Sequence, residues 1–212
     1  MTSGYFQTRY EFNSDRKRVW KAICEYLSRY IPPDSSVLEL GSGYCDFINN
    51  IVAKNRVAVD MDKNSGSYCD KSVSFLNIKA TDIEFAEKTF NIVFASNLFE
   101  HLDEEELDTL IGKITKILKN NGKLIIIQPN YYYAYREYWD DYTHKKAFSH
   151  VSLSDYLASN GFNIRKIEKR FLPYSFKSRI PKSYILTKIY LLSFWHPLAK
   201  QMLIIAEKQD SI

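Results

Sequence analysis

Short, continuously apolar runs recur along this chain, each followed by a tight turn or by residues at helical spacing. The clearest are Ser36-Val37-Leu38-Glu39-Leu40, Arg56-Val57-Ala58-Val59-Asp60, Phe90-Asn91-Ile92-Val93-Phe94-Ala95 and Lys123-Leu124-Ile125-Ile126-Ile127. A strand with one wet face alternates apolar and polar residues. A run without alternation belongs to a strand buried on both faces. Between the runs lie amphipathic segments. Residues 16–30 set Val19, Trp20, Ile23, Tyr26 and Leu27 on one stripe, and residues 104–118 do the same with Leu107, Leu110, Ile111, Ile114, Ile117 and Leu118. Strands alternating with helices predict an α/β fold, a largely parallel sheet covered on both sides. Ligands of such sheets bind at the carboxyl ends of the strands, where the strand order reverses.

The remaining pattern fills in the same architecture. A helix is expected over 46–54, a weaker strand over 73–78, and a helix end at Asn120-Asn121-Gly122. Ser152 is the expected N-cap of a helix over 152–159, closed by Asn160-Gly161. Strands follow over 162–170 and 201–206, with an amphipathic helix over 183–193 between them. No repeat, low-complexity tract or Gly/Ser linker breaks the chain. One domain over 1–212 is therefore expected, with an N-terminal helical cap over about 1–31 and a lid-like insertion over about 171–200. At 45% hydrophobic and 25% charged residues, a disordered chain and a coiled coil are excluded. The three cysteines, Cys24, Cys45 and Cys69, are odd in number and show no paired spacing. That reads as reduced thiols in a cytoplasm rather than a disulfide framework or a zinc site. Residues 1–10 hold no apolar signal core, and no run approaches the ~20 apolar residues of a membrane span.

The first apolar run ends in Gly41-Ser42-Gly43-Tyr44-Cys45-Asp46. Two glycines let the backbone turn tightly and approach a ligand. A dinucleotide fingerprint wants Gly or Ala where Asp46 stands, which argues against a pyrophosphate here. Asp60 ends the next strand nineteen residues beyond Gly41. A carboxylate at that point can accept from both hydroxyls of a ribose.

In these residues the chain resembles the class I S-adenosylmethionine-dependent methyltransferases. Val37-Leu38-Glu39-Leu40-Gly41-Ser42-Gly43 is similar to their first motif, and Val59-Asp60 to their ribose-binding acid. Thr81-Asp82-Ile83 resembles the adenine loop. Phe90 to Leu102, with Ser96-Asn97-Leu98-Phe99-Glu100-His101, resembles the motif of the fourth strand. The resemblance runs from about residue 20 to the C-terminus and departs at Cys45, where the family most often has Gly. It implies a Rossmann-like seven-stranded sheet flanked by helices, with the last strand antiparallel. It also implies S-adenosylmethionine as cofactor, released as S-adenosylhomocysteine. The residues implied to hold it are Glu39, Gly41, Ser42, Gly43, Asp60, Met61, Asp82, Ile83, Ser96 and Asn97. Glu39 would favour the donor's ammonium group, and Asp82 and the Ile83 backbone would meet the adenine.

Methyl transfer from a sulfonium requires alignment, exclusion of water and removal of a proton. Histidine suits the last task near neutrality. The chain has four histidines: His101, His144, His150 and His196. His144 is the leading candidate base and His101 the second, with Asp141, three residues before His144, placed to orient it. His150 is expected in the turn before the 152–159 helix, and His196 in packing. The segment Trp139-Asp140-Asp141-Tyr142-Thr143-His144 resembles a loop of a bacterial methyltransferase subgroup found with surface-polysaccharide genes. An Asp-x-x-His pair alone lacks further ligands at recognisable spacing, so no metal is expected.

Aromatic residues, 15% of the chain, crowd into 131–148 and 171–195. Tyr132, Tyr135, Trp139, Tyr142 and Tyr174 are the expected acceptor-binding residues, since aromatic faces suit sugar C–H surfaces, aryl rings and lipid. Residues 163–200 carry nine Lys/Arg and one acid, Glu168. An anionic or lipid-linked acceptor, a peripheral membrane contact or a homodimer surface would each suit that segment. The expected reaction is O-methylation of a hydroxyl on a sugar or glycan intermediate. A small aromatic or quinone-like acceptor is one alternative, and a non-catalytic donor-binding module is another. The Asn/Asp-Pro-Pro-Tyr/Phe signature of base methylation is not found after the fourth strand, so nucleic acid is not expected as a partner.

Overall fold

The computed structural model describes residues 15–173 and 182–209. Seven strands form one sheet: β1 (Ser36–Leu40), β2 (Asn55–Val59), β3 (Ser74–Leu76), β4 (Phe90–Ser96), β5 (Leu118–Pro129), β6 (Phe162–Pro173) and β7 (Ala199–Lys208). Their order is β3-β2-β1-β4-β5-β7-β6. Strands β3, β2, β1, β4 and β5 pair in parallel, while β7 runs antiparallel to both β5 and β6. The expected Rossmann-like sheet with its last strand antiparallel is what the chain forms.

Among the described residues six α-helices flank it: α1 (Arg16–Leu27), α2 (Asp46–Asn50), α3 (Glu104–Ile117), α4 (Tyr131–Ala134), α5 (His150–Ser159) and α6 (Tyr184–Leu192). Side chains of a strand alternate between faces, and the two cores sort accordingly. Val37, Ile92, Phe94, Ile125, Ile127, Leu203 and Ile205 pack with α1, α2 and Leu191 of α6. Leu38, Leu40, Val93, Ala95, Leu124, Ile126, Met202 and Ile204 pack with α3 and α5. No helix among the described residues is long and apolar enough to cross a membrane.

Several local expectations are corrected. Cys45 and Cys69 form a disulfide, with Cα atoms 5.4 Å apart, and Cys24 alone is a buried thiol. A spacing of 24 residues gave no pattern to read. The turn through Lys63–Tyr68 brings Cys69 back beside the glycine loop. Helix α2 stops at Asn50, short of residue 54, and Arg56 Nη1 takes the carbonyl of Ile48. Asn120-Asn121-Gly122 does not cap α3. Helix α3 passes directly into β5, and the turn lies inside that strand with Asn121 at φ +57°. Ser149, not Ser152, is the N-cap of α5: Ser149 Oγ accepts from Ser152 N and Ser152 Oγ from Ser149 N, a reciprocal capping box. His150 is consequently the first helical residue rather than part of a preceding turn. The 171–200 segment continues β6 to Pro173 and then places α6 along α1, where Tyr184 Oη and Lys188 Nζ bond Glu25. Residues 174–181, with Tyr174, Lys177 and Arg179, lie outside the described residues.

Arg16 anchors α1 to the start of α2. Its Nε donates to Asp46 Oδ2 at 2.9 Å, and both side chains are buried. Removing one partner of a buried pair strands the other charge. Arg16→Ala is expected to lower unfolding free energy by about 3–5 kcal/mol. Arg16→Met/Asp46→Leu should recover most of that loss. Urea midpoints of the three proteins check it.

Candidate active site

The carboxyl ends of β1, β2 and β4 meet where the strand order reverses. Gly41 and Gly43 follow β1 with φ +68° and +50°, a backbone region natural for glycine. A Cβ on Gly41 would also lie 3.3 Å from Leu98 Cδ1. Asp60, just after β2, is buried, and its Oδ2 accepts from Gly43 N at 2.7 Å and its Oδ1 from Asp62 N at 2.8 Å. Each carboxylate oxygen can accept two bonds, so capacity for a ligand's hydroxyls remains. Burial raises the Asp60 carboxyl above its usual range, and the two amides pull it back.

These residues line a cleft of about 430 Å³, together with Met61, Thr81, Asn97, His101 and Tyr142. Glu39, Ser42, Asp82 and Ile83 do not line it. Glu39 is buried under α2, where its Oε2 accepts from Ile48 N at 3.1 Å, and burial raises its carboxyl well above the usual range. Ser42 is buried, with its amide on Val59 O. Ile83 sits in the α3-side core, and Asp82 is exposed at the end of the turn whose Ala80 and Thr81 reach the cleft.

A second cavity, of about 420 Å³, opens between α1, α6 and the sheet edge. Its walls are mainly apolar, with Trp20, Ile23, Leu186 and Tyr190 among them. The Trp20 indole N–H is buried without a hydrogen-bond partner among the described residues. Ser96 and Asn97 line both cavities and so form their common wall. Asn97 takes φ +51°, a left-handed conformation that asparagine adopts more readily than most side chains. It is held there by its amide on Ile127 O at 2.8 Å and by Gln201 Nε2 on its Oδ1 at 3.0 Å.

His101 and His144 come together, with ring centroids 4.9 Å apart. The 138–148 segment is pinned over the turn Phe99–His101. Lys145 N and Lys146 N donate to Glu100 O, Lys145 Nζ bonds Asp103 and Glu106 of the α3 cap, and Tyr138 Oη donates to Lys146 O. Thr143 Oγ1 lies 3.0 Å from His101 Nδ1 and donates to Asp141 Oδ1 at 2.7 Å. Asp141 thus reaches His101 through Thr143. Burial, and then the neighbouring His144, lower the His101 imidazole to about 4. Glu100 is fully buried beside the pair, and burial pushes its carboxyl up to about 8.

Of the aromatic acceptor candidates, Tyr142 lines the cleft. Tyr132, Tyr135 and Trp139 are exposed and line neither cavity, and Tyr174 lies outside the described residues. His150 Nδ1 faces Asn130 Nδ2, and His196 Nδ1 donates to Arg170 O while the ring stacks on Tyr190. Glu100 and Trp20 were not legible as site residues. Trp20 carried only the signal of a helix core stripe, and Glu100 only its place beside His101.

A seven-stranded sheet of this order, with a glycine turn after β1 and an acid after β2, is the fold of class I methyltransferases. The family model described as methyltransferase domain matches residues 12–167, and the chain belongs to that family. Its cofactor is S-adenosylmethionine. The chain is 29% identical over 136 residues to phosphoethanolamine N-methyltransferase of Plasmodium falciparum, covering 58% of this chain and 50% of that protein. It is 27% identical over 142 residues to the eEF1A lysine and N-terminal methyltransferase of Mus musculus, covering 58% and 20%. The chain thus spans half or less of the length of these curated relatives. A solved SAM-dependent methyltransferase from Archaeoglobus fulgidus superposes with a TM-score of 0.70 at 22% identity, over 96% of this chain and 97% of that one.

The residues present fit the cofactor. The buried Asp60 carboxylate faces the cleft and could accept from hydroxyls, the Gly41 and Gly43 backbone borders it, and Leu98 and Leu102 offer apolar surface of the kind a purine packs on.

Proposed function

We propose that this methyltransferase O-methylates a hydroxyl on a sugar or glycan intermediate that carries an apolar tail. The observation that carries the reading is the common wall: Ser96 and Asn97 separate the cleft that Asp60, His101 and Tyr142 line from a more apolar cavity. Gly41, Gly43, Asp60, Met61 and Asn97 hold the donor. When bound, S-adenosylmethionine supplies an electrophilic methyl group on a sulfonium sulfur. Tyr142 offers its ring to a sugar face at the mouth of the cleft. His144 and His101 stand on the side where the acceptor hydroxyl loses its proton, and Asp141 holds His101 through Thr143. Trp20, Ile23 and Leu186 receive the tail.

Helix α6 continues that apolar surface outward. Ile185, Ile189, Leu192, Phe194 and Trp195 are exposed, with Lys182 and Lys188 nearby. Such a surface suits shallow contact with an anionic bilayer, where a lipid-linked acceptor resides.

The aromatic lining by Trp20, Tyr190 and Trp195 favours a second reading, a quinone-like acceptor with an isoprenoid tail. Incubation with methyl-labelled donor and a lipid extract, followed by hydrolysis, separates the readings. Label recovered as an O-methyl sugar supports the first. Label on an aryl ring system supports the second, and label only on nitrogen overturns both. Leu186→Trp should raise KM for a tailed acceptor about tenfold or more and leave donor affinity unchanged. Steady-state kinetics with tailed and tail-less acceptors check that.

A further inference from the structure

We propose that Glu100, His101 and His144 form a site for a first-row divalent cation beside the cleft that His101 lines. One ligand atom from each of the three lies within 4.8 Å of the others. Glu100 and His101 are buried and His144 is half-buried. An ion at about 2.1 Å from each ligand would draw these atoms to about 3.4 Å apart, within reach of small side-chain rotations.

The surroundings point the same way. Both carboxylate oxygens of Glu100 are buried without a hydrogen-bond donor from another described residue. Buried polar groups are ordinarily paired, and an exception calls for a reason. A cation supplies the partner that the protein does not.

The His101 tautomer fits as well. The Thr143 hydroxyl has one proton, and it goes to Asp141 Oδ1. Toward His101 Nδ1, at 3.0 Å, Thr143 Oγ1 can therefore only accept, as can Thr143 O at 3.3 Å. Nδ1 then carries the hydrogen, and the lone pair is on Nε2. A ring N–H given to a neighbouring oxygen, with the other nitrogen turned to an ion, is the usual arrangement of a metal-ligating histidine. Two imidazoles and one carboxylate suit zinc, cobalt, iron or manganese better than calcium.

The catalytic consequence rests on the hydroxyl-acceptor reading above. With the ion bound, His101 and His144 would serve as its ligands rather than as the base, and a hydroxyl placed on the ion would give its proton to solvent more readily. Ion binding itself does not depend on that reading. Transfer of label to nitrogen would overturn the hydroxyl reading and leave the titrations below unchanged.

The test uses the full chain, tag-free and stripped with chelator, titrated with Co²⁺ alone. One equivalent is expected to bind and to give the visible absorption bands of nitrogen-ligated cobalt. Glu100→Gln should weaken binding at least tenfold, and His150→Ala should not change it. Because Glu100 is in the core, a measurement on the unaltered chain stands beside the variant. Substoichiometric Mn²⁺ should broaden the ring-proton resonances of His101 and His144 and leave those of His150 and His196 sharp. No cobalt bound at millimolar concentration, or equal broadening of all four histidines, would overturn the site.

Discussion

Turnover of a His144→Ala variant is expected to fall by roughly a hundred- to ten-thousand-fold, the range found when a positioned proton-handling group is lost. Affinity for S-adenosylmethionine should stay within about twofold, because His144 does not line the donor cleft and the loss is confined to the chemical step. The loop should survive the change. It is held by Lys145 on Asp103 and Glu106, by the Lys145 and Lys146 amides on Glu100 O, and by Tyr138 Oη on Lys146 O. None of these uses the imidazole. Donor calorimetry alongside single-turnover methyl transfer separates the two effects. Turnover near the parent level would remove His144 from the machinery and leave His101.

Asp60→Ala is expected to weaken donor binding about a hundredfold. A hydrogen bond to a charged group contributes about 1.5–3 kcal/mol, and a carboxylate that takes both ribose hydroxyls forms two. The substitution also frees Gly43 N and Asp62 N, whose bonds to Asp60 hold the glycine loop and the start of the next turn. Asp60→Asn keeps one acceptor oxygen and should fall between the two. Calorimetry with S-adenosylhomocysteine checks the series, and an unchanged affinity in Asp60→Ala would refute the ribose role.

How far a sequence can be read depends on whether a feature is local. The apolar runs at Val37–Leu40 and Leu124–Ile127 are local, because a strand buried on two faces must be apolar at successive positions. So the sheet was legible, as were the glycine turn and Asp60 at the strand end. The Ser149–Ser152 cap was half legible: both serines share one reciprocal motif, and the pattern does not say which stands first. Contacts made across the fold left no such trace. Cys45 meets Cys69, Arg16 meets Asp46, and Glu100 lies beside His144 only because distant segments converge. Trp20 illustrates another limit. Helical spacing marks it as core, which it is, but the same ring also borders a cavity that only the docking of α6 on α1 creates.

The placement of β7 bears on how this chain reaches its fold in a cell. The strand formed by residues 199–208 is not at a sheet edge but between β5 and β6. Until those residues leave the ribosome, β5, with its run of isoleucines, has no partner on one side. An apolar strand edge left bare invites pairing with another chain. Synthesis therefore passes through an interval of exposure that ends with insertion of β7, which makes this strand the step at which chaperone protection, or its failure, would decide yield.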